Sequence, residues 1–230
     1  MLNEEGDRVA ASHDLGNRFR QKRMAKFMEL LKPVMDSGRT VRILDVGGTV
    51  GFWKALPGLY GHDQAEITLV NLDSEERDEA NLRVRSGNAC KLDYDDMSFD
   101  VVHSNSVIEH VGHWPEMMQM AAEVRRLAPS YFIQTPNIWF PVEPHFKLPL
   151  VHWLPEPARL GLLARAGKAP LDVSGATMAV QRISLLSAKQ MNYLFPDSTL
   201  WRERVLGLTK SLVAIRRESW LTGRVSSVVA

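Results

Sequence analysis

Residues 41–53 read VRILDVGGTVGFW, an apolar run carrying Asp45 that opens into Gly47, Gly48 and Gly51. A buried parallel strand meeting a tight turn has this composition. Glycines at such a turn let the backbone come close to a ligand with no Cβ in the way, and they serve equally well in a plain strand-to-helix turn. In a sheet of parallel strands, ligands bind beyond the carboxyl ends of the strands, so the turn after Val46 is the first place to look for a site.

Working outward, residues 67–72 (ITLVNL), 82–85, 99–103 (FDVVH) and 130–134 (SYFIQ) repeat the strand pattern. Between the last two, Met117, Met120, Ala121, Val124 and Leu127 follow the three-four spacing of a helix with one buried face over 114–127. Strands alternating with helices predict a Rossmann-like α/β fold with a doubly wound, mostly parallel sheet. Residues 200–206 and 211–216, separated by Gly207, Leu208 and Thr209, predict a closing antiparallel hairpin. A helix is expected near 187–194. Phe19, Met24, Phe27, Met28 and Leu31 predict an amphipathic helix over about 14–36 that ends near Pro33. Prolines, aromatics and histidines break the rhythm over about 137–167, which reads as an insertion into a single domain spanning 1–230.

Composition narrows the function. With 45% hydrophobic and 24% charged residues the chain belongs with ordinary globular proteins rather than disordered or collagen-like ones. A formal net charge of +1 supplies no global field toward nucleic acid, so no nucleic-acid partner is expected. Cys90 is the single cysteine, which excludes an internal disulfide and a cysteine-rich metal site. The start, Met1 to Ala10, is charged and lacks the apolar core of a signal peptide, so a cytoplasmic location is expected. Residues 148–163 are interrupted by prolines and charges and cannot span a membrane, although peripheral contact with a membrane surface stays open.

The glycine turn fits two common cofactor patterns poorly. A dinucleotide loop, G-x-G-x-x-G, would need glycine where Thr49 and Phe52 stand, and no Gly-Lys-Ser/Thr follows for a phosphate loop. The run instead resembles the first motif of the class I S-adenosylmethionine-dependent methyltransferases, an acid followed by alternate glycines: Asp45, Gly47 and Gly51 match, Gly48 lies beside them, and Thr49 replaces the middle glycine. Asp73, after the second strand, stands about where the family places an acid that accepts from the ribose hydroxyls. Asp73 also suits a nicotinamide ribose or the cap of a following helix. The stretch GNACKLDYDDMSFDVVHSNSVIEHV (87–111) is similar to the third and fourth family motifs. The resemblance places Asn88 and Ala89 at the adenine, and Ser104, Asn105 and Ser106 at the methionine end. It covers 41–137 in order, and the closing strands more weakly.

A methyltransferase of this kind implies S-adenosylmethionine as cofactor, S-adenosylhomocysteine as product and a small-molecule, sugar or lipid-linked acceptor, with oxygen the expected atom. A nicotinamide-dependent oxidoreductase and a non-catalytic cofactor-binding subunit are the alternatives. Methyl transfer requires an acceptor atom held in line at about 3–3.5 Å with water excluded, and a base where the acceptor is a hydroxyl. His145 is the expected base, oriented by Glu143. Either residue serves equally in hydrogen bonding within a loop. His110 and Glu109 belong to the fourth-motif resemblance, with a structural role as well supported as a catalytic one. No histidine and carboxylate group has the sequence spacing of a metal site, so none is expected. Trp139, Phe140, Phe146 and Trp153 suit either an aromatic wall over the acceptor or packing of the insertion. The early basic residues Arg18, Arg20, Lys22 and Arg23 suit either a solvated helix face or a phosphate on the acceptor.

Overall fold

The computed structural model describes residues 4–55, 58–168 and 172–218, and of residues 4–17 and 173 the backbone alone; the outer ends of the 1–230 domain expectation lie outside the described residues. Eight strands form one sheet: β1 (Val41–Val46), β2 (Ala65–Asn71), β3 (Arg77–Glu79), β4 (Leu82–Ser86), β5 (Val101–Asn105), β6 (Ser130–Pro136), β7 (Thr199–Val205) and β8 (Leu208–Arg216). Their order is β3-β4-β2-β1-β5-β6-β8-β7. The pairs β4-β2, β2-β1, β1-β5 and β5-β6 are parallel, while β3-β4, β6-β8 and β8-β7 are antiparallel. This is the expected Rossmann-like sheet with its closing hairpin. Leu206 and Gly207 make the hairpin turn, both with positive φ (49° and 83°), the combination a two-residue turn needs to match strand twist.

Six helices accompany the sheet among the described residues: α1 (Glu4–Asp36), α2 (Val50–Lys54), α3 (Trp114–Leu127), α4 (Glu156–Arg165), α5 (Val173–Gln181) and α6 (Ala188–Leu194). Alternation along the central strands feeds two cores. Val41, Ile43 and Val101 meet Phe27, Leu30 and Leu31 of α1 and Trp53 of α2, whereas Leu44, Val46 and Val102 meet Met117, Met120 and Val124 of α3 and Met191 of α6. Both faces of the central strands are therefore covered, as parallel strands require.

Some elements differ from the sequence expectation. α1 starts at Glu4 and carries Pro33 inside its last turns. α2 and β3 are too short to show a period. The region read as an insertion holds a 3-10 turn (Val151–Trp153) and α4, with α5 following; Val151, Leu163 and Val180 pack together as a third, small core.

The fold matters to function through β1. The chain order reverses on either side of it, β2 on one flank and β5 on the other, so its carboxyl end is the topological switch point where a crevice forms.

Candidate active site

The turn after β1 is built by exclusion of side chains. Gly47 has φ 79°, and a Cβ there would lie 2.2 Å from Val107 Cγ2. Glycine therefore lets the 106–107 segment close over the strand end, which places the 3-10 turn Ile108–His110 that follows. At Gly48 a Cβ would lie 1.9 Å from Asp45 Oδ2. Asp45 is 1% exposed, and both of its oxygens are taken: Trp53 Nε1 donates to Oδ2 at 2.7 Å and His103 Nδ1 faces Oδ1 at 2.7 Å. The sequence distinguishes neither Trp53 nor His103 as a partner of Asp45: the His103 contact needs β5 beside β1, and the Trp53 contact needs α2 to turn back over the strand end. Thr49 caps α2, accepting from the Phe52 amide at 3.2 Å, which explains a hydroxyl where the family pattern has glycine. Gly51 has nothing within 4 Å of a would-be Cβ and faces open space.

Asp45, Gly47, Gly48, Thr49, Phe52, His103 and Asn105 enclose a cavity of about 190 Å³ at the switch point. Asn71 ends β2, and its Nδ2 donates to Gly48 O at 2.7 Å. Asp73 lies two residues further out, exposed, with a left-handed backbone (φ 52°). Asn88 is exposed and its Oδ1 accepts from the Cys90 amide at 2.9 Å, beside half-buried Ala89. The strand-end position of Asn71, pointed at the glycine turn, is a feature the sequence reading passed over in favour of the acid.

Beyond Asn105 the chain is held at Ser106 in a left-handed conformation (φ 58°), costly for a residue with a Cβ by about 1–3 kcal/mol. Hydrogen bonds from its amide to Gln134 O and from its hydroxyl to Gln134 Oε1, both 3.0 Å, hold it there. Ser106 lines a second cavity of about 480 Å³, bordered also by Phe19, Arg23, Phe140, Glu143, Lys147 and Lys210. Consecutive residues, Asn105 and Ser106, thus border the two cavities. Lys210 lies over the Phe19 ring, 4.3 Å from its centroid.

The loop after β6 brings His145 and Glu143 to the 3-10 turn. His145 Nδ1 meets Glu143 Oε1 at 2.6 Å, and His145 Nε2 meets His110 Nε2 at 3.0 Å. His110 Nδ1 in turn meets Arg182 O at 3.2 Å. Glu109 is fully buried; its Oε2 accepts from Thr135 Oγ1 at 2.9 Å and its Oε1 has no partner. Burial pushes its carboxyl up to about 7, against the hydrogen bonds that favour the anion. Burial, with His145 second, holds His110 below its ordinary value. Residues 109, 110 and 145, which show no metal pattern in sequence, place one ligand atom each within 4.8 Å of the others. The aromatic residues divide: Trp139 and Trp153 are exposed, and Phe146 packs onto the Val151, Leu163 and Val180 core.

Residues 44–130, from β1 into β6, match the family model described as a methyltransferase domain. Over these residues the chain carries a methyltransferase domain. The match spans every motif from the glycine turn to α3 and sets aside the nicotinamide alternative. S-adenosylmethionine is the cofactor of the methyltransferase, and it supplies an electrophilic methyl group on a sulfonium. The chain is similar in structure to a protein of Pyrococcus horikoshii (18% identity, TM-score 0.45, covering 84% of this chain and 89% of that one). It is similar too to a methyltransferase of Methanosarcina mazei described as S-adenosylmethionine-dependent (15%, 0.45, 77% and 91%). Phosphoethanolamine N-methyltransferase 2 of Haemonchus contortus, in complex with S-adenosyl-L-methionine, also resembles it (15%, 0.45, 71% of this chain and 35% of that one). No curated protein matches the sequence.

The methyltransferase's own residues fit such a cofactor: two glycines whose Cβ atoms would collide with the chain, a third open to solvent, and polar groups at the ends of β2 and β5 around a cavity at the switch point. Among the described residues no helix is long and apolar enough to cross a membrane.

Proposed function

We propose that this methyltransferase transfers the methyl group to an oxygen of a small, hydroxylated acceptor bound in the cavity of about 480 Å³. The observation that carries this reading is the pair Asn105 and Ser106, consecutive residues of which the first lines the cavity at the glycine turn and the second the larger cavity. A donor in the first and an acceptor in the second would lie on either side of this pair, and the barrier to transfer would fall chiefly through positioning. Gly47, Gly48 and Gly51 admit the donor's methionine end to the backbone. Asp45 fixes the turn through Trp53 and His103, and Asn105 closes the end of β5. Asn71 and Asp73 at the tip of β2 meet the ribose, and Asn88 with Ala89 meets the adenine.

On the acceptor side, Lys147 and Lys210 border the cavity, with Arg23 beside them held by Glu203 at 2.8 Å, and the two lysines favour an acceptor bearing a carboxylate or phosphate, sugar phosphates and lipid-linked phosphates included. His145, held by Glu143 and beside His110 and Glu109, is the group that would activate the acceptor hydroxyl: its Nε2 would take the hydroxyl proton as the oxygen attacks the methyl carbon, the carbon–sulfur bonding pair staying on sulfur. A cytoplasmic site of action is part of this proposal. Calorimetry with S-adenosylhomocysteine, followed by a radiolabelled methyl-transfer screen over hydroxylated anions, amines and carbon acids, tests the proposal. Label on oxygen supports it; label only on nitrogen or carbon, or a cofactor bound with no transfer at all, refutes it.

A further inference from the structure

The histidine pair held by Glu143, a residue that borders the cavity of about 480 Å³, has a proton arrangement that neutral side chains cannot satisfy. His145 Nδ1 faces a carboxylate oxygen of Glu143 and His110 Nδ1 faces the Arg182 carbonyl, and both of these partners accept. Each ring must then carry its proton on Nδ1, which leaves two Nε2 lone pairs pointed at each other across 3.0 Å. Only a positive charge between them makes this contact favourable. Glu109 brings a carboxylate oxygen within 4.8 Å of a ring nitrogen of each histidine, and its buried Oε1 has no hydrogen-bond partner, so this carboxylate has a free oxygen beside the pair.

We infer that Glu109, His110 and His145 bind one divalent transition-metal ion. Two imidazoles and one carboxylate form a set that suits zinc, cobalt or iron better than magnesium or calcium, which favour oxygen alone. Metal–nitrogen bonds of about 2.0–2.1 Å separate two ligand nitrogens by about 2.9 Å at a right angle and about 3.3 Å at a tetrahedral one, so the 3.0 Å spacing needs little adjustment. Glu143 and the Arg182 carbonyl are the outer partners that fix the tautomer and orientation of each ligand ring. His110 is exposed and His145 23% exposed in its side chain, so solvent or an acceptor oxygen reaches the ion. With its Nε2 on the ion His145 no longer takes the hydroxyl proton itself; three protein ligands leave a position free, and an ion there lowers the pKa of a bound hydroxyl, whose proton passes to solvent. That last role, and only that, rests on the oxygen-acceptor reading above.

The test is a titration of the chelator-treated full chain with Co²⁺, read by visible absorption, and with Zn²⁺ in competition by calorimetry. One equivalent should bind, with the absorption of a low-coordinate nitrogen and oxygen site. His110→Ala and His145→Ala should each abolish it, and Glu143→Gln should weaken it about 10- to 100-fold through the outer partner. Glu109→Gln is paired with circular dichroism, and the two surface-side histidine variants carry the test if it does not fold. Failure of wild type to bind either ion, or binding unchanged in both histidine variants, overturns the proposal and leaves a shared proton between the rings. S-adenosylhomocysteine binding is measured on the same samples: a bound nucleoside with no metal sinks this inference alone, whereas bound metal with no nucleoside sinks the methyl-transfer assignment alone.

Discussion

Trp53 Nε1 donates to Asp45 Oδ2 at 2.7 Å, and the residue that would block this contact is absent because position 48 is glycine. The first acid of the glycine motif is therefore a buried scaffold as well as part of the cavity wall, with His103 on its other oxygen. Trp53→Phe keeps the ring and removes the donor, leaving Oδ2 buried and unpaired. A stability loss of about 1–3 kcal/mol is expected in urea denaturation. Asp45→Asn should cost at least as much, since an amide offers a single oxygen to two facing groups; equal stability of both variants and wild type would show that the contact has no weight.

Two glycines of the same turn are predicted to behave differently. Gly48→Ala drives a Cβ against Asp45 Oδ2 and Cγ, at 1.9 and 2.4 Å, and the carboxylate is pinned by its two partners. Both stability and S-adenosylhomocysteine affinity should fall. Gly51→Ala meets nothing within 4 Å and sits in α2, where alanine is favoured by about 1 kcal/mol. Its stability should hold or rise while nucleoside affinity falls at least tenfold, because the open space is there for a ligand. A Gly51→Ala variant with wild-type affinity would mean that the cofactor does not pass over this part of the turn.

At the tip of β2, Asn71 is tied to Gly48 O, whereas Asp73 stands exposed beyond the strand. Ligands of such sheets lie at strand ends. Asn71→Ala is expected to reduce S-adenosylhomocysteine affinity more than Asp73→Ala, and Asp73→Ala by about 10- to 150-fold if its carboxylate accepts from the ribose with about 1.5–3 kcal/mol. Calorimetry on the two variants decides the order. A larger loss at Asp73 would place the ribose outside the strand end.

How much of this was legible in the sequence depends on the range of the interactions. β1 and α3 announce themselves through local pattern: α3 occupies 114–127, the bounds that its three-four spacing predicts. β3 does not, for Arg77–Glu79 is wholly charged and becomes a strand only by pairing antiparallel with β4 at the sheet edge. α1 extends to Glu4, through residues that show no apolar stripe to mark it. Within the site, Gly47 and Gly48 are visible as a turn, but the reason for Gly47, Val107, comes from the chain that follows β5, and the reason for Gly48 is an Asp45 carboxylate pinned by Trp53 of α2 and His103 of β5. His110 and His145 stand 35 residues apart and meet through two loops, so no spacing rule reaches them.

The loop between β4 and β5 is fastened to α3 by the Arg126 and Glu123 pair, with Cys90 Sγ donating to Glu116 O at 3.3 Å beside it. Arg126 donates to Glu123 through Nε (Oε1) and Nη2 (Oε2), both at 2.8 Å, to Leu92 O at 3.0 Å, to Tyr94 O at 2.6 Å and to Asp96 Oδ1 at 2.9 Å, while Glu123 Oε2 also accepts from the Leu92 amide at 2.9 Å. The pair is largely shielded, with side-chain exposures of 29% and 16%. Arg126 holds the Glu123 carboxyl below its ordinary value of 4.5. A carboxyl with a lowered folded-state pKa binds protons more readily when unfolded, so its contribution is present above about 4.5 and is lost as the pH falls through the lowered value. Arg126→Met should lower stability by about 2–3 kcal/mol at neutral pH, through unsatisfied carbonyls and a carboxylate left without its partner. It should also flatten the acid limb of the stability curve, bringing wild type and variant closer together below about pH 4. Urea unfolding of both proteins across that range measures the difference; a gap that stays constant with pH would mean that the Leu92 and Tyr94 carbonyls, and not the ion pair, account for the clamp.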